Sequence, residues 1–86
     1  MHETKALLIT RNGLRCMACG KEVEYKNIHW HHIKPKYVFK ANHEPVDNTY
    51  ENSALLCIRC HIELHKFLWW DDEFQVITSI IEGNKK

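Results

Sequence analysis

Two Cys-x-x-Cys pairs, Cys16/Cys19 and Cys57/Cys60, bracket a histidine-rich stretch, His29-Trp30-His31-His32. Each pair sets two thiolates within reach of one ion, and together they supply the four ligands of a closed tetrahedral Zn site. That limits what an 86-residue chain can become. At this size a single core rarely supplies enough stability, and a structural metal is a common staple. The alternatives are disulfides in a secreted domain or a thiol redox centre. Met1 to Ile9 contains His, Glu and Lys around a short apolar run, unlike a secretion signal. Neighbouring histidines favour metal over oxidation. Two knuckles also make a better shared ligand set than two redox sites.

The length fits one domain, residues 1–86. Hydrophobic residues make up 44%, an ordinary globular share, and no apolar run approaches the ~20 residues that span a bilayer, so no membrane role is expected. Net charge is only +1, but it is unevenly spread. Residues 1–43 carry eight Lys/Arg against three acids, and residues 44–86 carry four against eight. The basic half holds the first knuckle and the histidine stretch. This distribution suits a phosphate backbone lying across one face, and equally a solvated surface.

Local patterns give a coarse order of elements. Residues 3–11 read as a short helix with Ala6, Leu7 and Leu8 as its apolar patch, stopped by Asn12-Gly13. Arg15 to Lys21 is the first knuckle turn. Val23 to Ile33 has strand character, ended by Lys34-Pro35. Tyr37 to Tyr50 reads mostly as loop, with Asn42, Pro45 and Asp47-Asn48 as turn residues. Ala54 to Cys57 is a short apolar strand, and His61 to about Trp69 a helix. Asp71/Asp72 start a last helix to about Glu82, with Gly83 as its cap and Phe74, Ile77 and Ile81 on one face. The fold class expected is a small α+β domain, stapled by the four cysteines and flanked by N- and C-terminal helices.

Two strands and a helix that carry histidines at their ends have chemical content. His61 and His65 are four residues apart, so their rings share a helix face. A strand delivering His31 or His32 opposite that face completes a mononuclear metal site. Alternation sends His31 and His32 to opposite sides of a regular strand, so both reach one site only if the strand end bends.

Cys-Met-Ala-Cys-Gly (16–20), His-His-Ile-Lys-Pro (31–35), Asn52 and Leu-Cys-Ile-Arg-Cys-His (56–61), with His65, resemble the HNH nuclease family of the ββα-metal (His-Me finger) fold. The resemblance covers about residues 14–66. It departs where Ser53 follows Asn52, a position expected to be Leu. The family implies a divalent-metal endonuclease that hydrolyses DNA phosphodiesters and leaves 5′-phosphate and 3′-OH ends. By the motif, His31 and His61 hold the catalytic ion, His65 ligates it or contacts phosphate, and His32 is the general base. Asn52 fixes the segment carrying His32. Lys34, Lys36 and Arg59 are candidate phosphate contacts. The cofactors implied are a structural Zn²⁺ and a catalytic Mg²⁺, Mn²⁺, Ni²⁺ or Zn²⁺.

Two rival functions stay open. One is a non-catalytic zinc-ribbon module binding nucleic acid or protein. It is not a classical two-Cys, two-His finger, because Cys19 and His61 lie far beyond the roughly 12-residue spacing of such fingers. The other is an interaction domain in a phage or restriction assembly, or a homodimer. For it, Trp69-Trp70, Val76 and Ile80 form either a partner surface or part of a small core. The family's habit suggests the cytoplasm of a bacterial, phage or prophage host cell.

Overall fold

All five residues of Ser53–Cys57 are buried, and the molecule is built around that segment. The computed structural model describes residues 2–85. Helix α1 (Glu3–Asn12) leads into the first knuckle. Strand β1 (Ile28–His32) and helix α2 (Lys36–Ala41) follow, then strand β2 (Ser53–Cys57). Helices α3 (Ile58–Leu64) and α4 (Asp72–Gly83) complete the chain. The strands form one antiparallel pair, with Ile28 opposite Cys57 and His32 opposite Ser53. Strand β2 packs against both α1 and α3, which is why it lacks an apolar-polar alternation. Leu8, Met17, Ile28, Leu55, Leu56, Leu64, Phe74 and Ile81 form the core around it. Each fully buried Leu or Ile contributes about 1.5–3 kcal/mol.

The α+β class and the flanking helices are as the sequence indicates, but several boundaries differ. Strand β1 is shorter than residues 23–33. Val23 bonds instead to Leu14 O (3.0 Å), and Arg15 bridges Glu22, so this segment closes the first knuckle. Tyr25–Asn27 is then a 3-10 turn. The expected loop over residues 37–50 begins as α2, with Pro35 as its N-cap and buried Phe39 as its anchor. Helix α3 starts three residues before His61 and ends at Leu64, because the second knuckle is itself the helix start. The Cys57 thiol caps it, accepting from Cys60 N–H at 3.5 Å.

In α1 only Leu8 is buried, while Ala6 and Leu7 are exposed and Ile9 packs on the core. In α4, Gly83 is the last helical residue and Asn84 is the cap. The Asn84 amide also donates to Met17 O at 2.8 Å, tying the chain end to the first knuckle. Phe74 and Ile81 are buried as the helical stripe requires, with Ile77 half-buried beside them. Trp69 packs on the core, whereas Trp70 (59%), Val76 (61%) and Ile80 (47%) remain exposed. Among the described residues, no helix is long and apolar enough to cross a membrane.

Candidate metal centre and active site

The two knuckles converge. The sulfurs of Cys16, Cys19, Cys57 and Cys60 all lie within 4.8 Å of one another. A tetrahedral Zn site with bonds of about 2.3 Å needs edges of roughly 3.8 Å, so this set fits a metal such as zinc after small side-chain adjustments. Gly20, at φ +79°, makes the tight turn of the first knuckle, where Gly20 N–H donates to Cys16 O (2.8 Å). The local electrostatics also suit an ion. Burial pushes the Cys16 thiol up, but the backbone N–H groups of Cys19, Cys57 and Ala18 outweigh it and lower its pKa to about 7. Burial and the three neighbouring thiols push Cys60 well up. Four thiolates cannot crowd together without a cation, and a bound metal supplies that charge.

The second cluster lies at the end of β1, on α3 and at its C-cap, His65. Ring nitrogens of His31, His61 and His65 also lie within 4.8 Å of one another. His61 and His65 share a helix face, with their Nε2 atoms 2.9 Å apart. The His31 ring approaches both, at centroid distances of 5.5 Å and 5.9 Å. Ala54 stands opposite His31 in the strand pair, and its small side chain leaves room for the ring. His31 is 3% exposed, and its Nε2 is buried with no hydrogen-bond partner. A buried, unpaired imidazole nitrogen beside two others is a donor set that fits a divalent ion. Burial, then the charges of His61, His65 and His32, lower the His31 pKa to about 3. Burial, then His65 and His29, lower that of His61 to about 4. Both rings are therefore neutral at pH 7, as ligation requires.

His32 faces the other side of β1, as alternation dictates. Its ring stacks on Trp30 (4.7 Å, 29° between planes), and Trp30 in turn lies 4.7 Å from the His2 ring at the start of α1. Even so, His31 and His32 both line one cleft of about 310 Å³, shared with His61, His65, Lys36 and Tyr37. The strand end therefore gives both histidines access to one space. Ser53 sits opposite His32 and is fully buried, its hydroxyl donating to Thr49 O at 2.6 Å. It continues the strand in register.

Asn52 lies outside the cleft lining and acts as a clasp. Its Oδ1 accepts from Lys34 N–H (2.8 Å), and its Nδ2 donates to Lys34 O (3.3 Å) and Asp47 O (2.9 Å). The end of β1 is thereby tied to the loop before β2. Of the three basic residues named from sequence, Lys36 lines the cleft. The Lys34 ammonium lies over the Phe39 and Trp69 rings, 4.8 Å and 5.9 Å from their centroids. Arg59 is exposed on the first turn of α3, away from the cleft lining.

Two residues at the site are not evident from the motif. The Asn48 Oδ1 lies 2.7 Å from His32 Nε2. Asp47-Asn48 reads in sequence only as a turn. The turn is real, since Thr49 N–H donates to Asp47 Oδ1 at 2.9 Å and holds that carboxyl below its usual range. His29 Nδ1 lies 3.0 Å from His61 Nδ1. The available signal for His29 was its i, i+2 relation to His31, which sets both on one strand face.

Two antiparallel strands leading into a helix, with histidines at the strand end and on the helix and a cysteine cage joined to that helix, form a ββα-metal arrangement. No curated protein matches the chain. The HNH endonuclease family model matches residues 16–67, from the first knuckle past the last histidine of the site. This match spans more than half of the chain and includes both clusters, so the chain belongs to the HNH endonuclease family.

Proposed function

We propose that residues 1–86 act as one metal-dependent DNA endonuclease domain. HNH domains have nuclease-type or metal-binding roles, and HNH nucleases act on DNA. The observation that carries the catalytic reading is the cleft itself. Three imidazoles converge there, and a fourth histidine lines the same space from the opposite strand face.

The reading assigns each side chain a task. His31, His61 and His65 hold a divalent ion. Such an ion supplies positive charge for the scissile phosphate and for the departing 3′ oxygen. His32 takes a proton from water as general base. With Nε2–H donated to Asn48 Oδ1, Nδ1 is the nitrogen left with a lone pair for that proton. Asn48 thus sets the tautomer of the base, and the stack on Trp30 sets its ring plane. Asn52 holds the His32-bearing strand end against the loop that carries Asn48. Lys36 at the cleft offers a phosphate contact. Water, giving a proton to His32, adds to phosphorus as the bond to the 3′ oxygen breaks, and that oxygen takes a proton from solvent, leaving 5′-phosphate and 3′-OH ends.

The test is plasmid nicking with Mg²⁺, Mn²⁺, Ni²⁺ and Zn²⁺ in turn, with wild type beside His32→Ala. Ion-dependent nicking that is lost in His32→Ala supports the enzyme. Absence of nicking by wild type with every ion means a non-catalytic zinc-bearing module, and equal nicking by the two proteins means that His32 is not the base.

A further inference from the structure

The site contains one histidine more than the ligand set and the base use. His29 sits two residues before His31 on β1, on the same strand face, opposite Leu56. Its ring meets His61 edge to face, at a centroid distance of 5.1 Å and 89° between planes. The two Nδ1 atoms are 3.0 Å apart, within hydrogen-bond range. The other ring nitrogen of His61, Nε2, faces His65 Nε2 at 2.9 Å. His61 therefore stands between the ligand cluster on one side and His29 on the other.

Proton counting decides what that contact does. A neutral imidazole carries one N–H and one lone pair. For His61 to present a lone pair at Nε2, its proton must sit on Nδ1. That N–H then needs an acceptor, and His29 Nδ1 is at the required distance. His29 in turn keeps its own proton on Nε2. The reverse arrangement, with His29 Nδ1–H donating to His61, forces the His61 proton onto Nε2 and blocks ligation. Only the first arrangement is compatible with an ion at the cluster. The acceptor is a neutral ring, where a carboxylate or backbone carbonyl is the usual partner of a metal-bound histidine.

We propose that His29 is a positioning residue for the open metal site: its Nδ1 lone pair accepts the His61 Nδ1–H, and so fixes the tautomer and ring plane in which His61 Nε2 meets the ion. This rests on the metal-site reading above. Loss of such a partner typically costs roughly 10–100-fold in metal affinity. The acceptor, not the ring, is what matters. An amide oxygen at position 29 should therefore substitute, and an apolar side chain of similar size should not.

The experiment uses the full chain with its cysteine cage loaded with Zn. Long-range ¹H–¹⁵N NMR without added ion reads the His61 tautomer directly, and calorimetry with Ni²⁺ reads the affinity of the open site. In wild type, His61 should be the Nδ1–H form. His29→Leu should shift His61 toward the Nε2–H form and weaken Ni²⁺ binding roughly 10–100-fold. His29→Gln should recover most of that loss. His61 found as the Nε2–H form in wild type overturns the proposal without any substitution. Wild-type affinity in His29→Leu, or His29→Gln binding as weakly as His29→Leu, also overturns it. Wild type that takes up no Ni²⁺ beyond its cage metal overturns the metal-site reading, and this proposal with it.

Discussion

His31 and His32 are adjacent in sequence yet meet different neighbours, because the strand sends their rings to opposite faces. His31 meets the helix histidines, and His32 meets Trp30 and Asn48. Their substitutions should therefore separate two functions. His32→Ala should keep Ni²⁺ affinity at the open site and lose roughly 10²–10⁴-fold in turnover, the usual contribution of a general base. His61→Ala should lose both, which calorimetry and a nicking assay on the same samples will distinguish. The depressed His31 and His61 pKa values also make stability depend on pH. In the unfolded chain both rings titrate near 6.5. In the folded protein without an ion at this cluster they titrate at about 3 and about 4. Between those limits the unfolded state binds more protons, so stability is full above about pH 6.5 and falls as pH drops toward 3. Urea midpoints measured between pH 7 and pH 4.5 should decline. His31→Leu, which removes the more buried of the two groups, should flatten the decline.

The strand pair does more than display histidines. Its register sets Ala54 against His31 and Ser53 against His32, so small side chains face both rings. Ala54 is fully buried, and Ala54→Leu inserts volume where none is free. It should cost about 1–3 kcal/mol in stability. It should also displace the His31 ring and weaken Ni²⁺ binding, although position 54 offers no ligand atom. Thermal melting with the Ni²⁺ titration checks both effects. At this scale the sequence was only partly legible. The knuckles, β2 and the stripe of α4 were readable because cysteine spacing and apolar period act locally. Helix α2 was hidden between Pro35 and Asn42, and Phe39 anchors it by burial that no local pattern announces. The start of α3 was hidden because its cap is the Cys57 thiol rather than a hydroxyl or carboxylate. The three histidines that cluster, His31, His61 and His65, could be named from the motif. The contacts of Asn48 and His29 could not, because each depends on how far a turn or strand face travels in three dimensions.

Across the whole molecule the two clusters have opposite relations to folding. The cysteine cage joins segments that are distant in sequence. Cys16 and Cys57 are buried among core residues, with Met17 N–H bonded to Leu55 O at 2.8 Å between them. Four crowded sulfurs at the centre of a small core need a cation, so an ion held there would be coupled to folding. The histidine cluster instead opens onto a cleft, and the His31 and His61 rings stay neutral when no ion is present. A brief treatment with chelator should therefore strip the histidine site first. Nicking should stop while the far-ultraviolet dichroism is unchanged, and elemental analysis should still find about one Zn per chain. Adding back Mn²⁺, Ni²⁺ or Mg²⁺ should restore nicking to different extents, because an all-imidazole set suits the later transition metals better than Mg²⁺. Prolonged chelation should then remove the cage ion and unfold the domain in one step. Cys57→Ser should resemble that end state from the outset, since Cys57 is at once one of the four clustered cysteines and the cap of α3. Activity that survives excess chelator would exclude metal-dependent cleavage, and a well-folded protein free of Zn would exclude the cage.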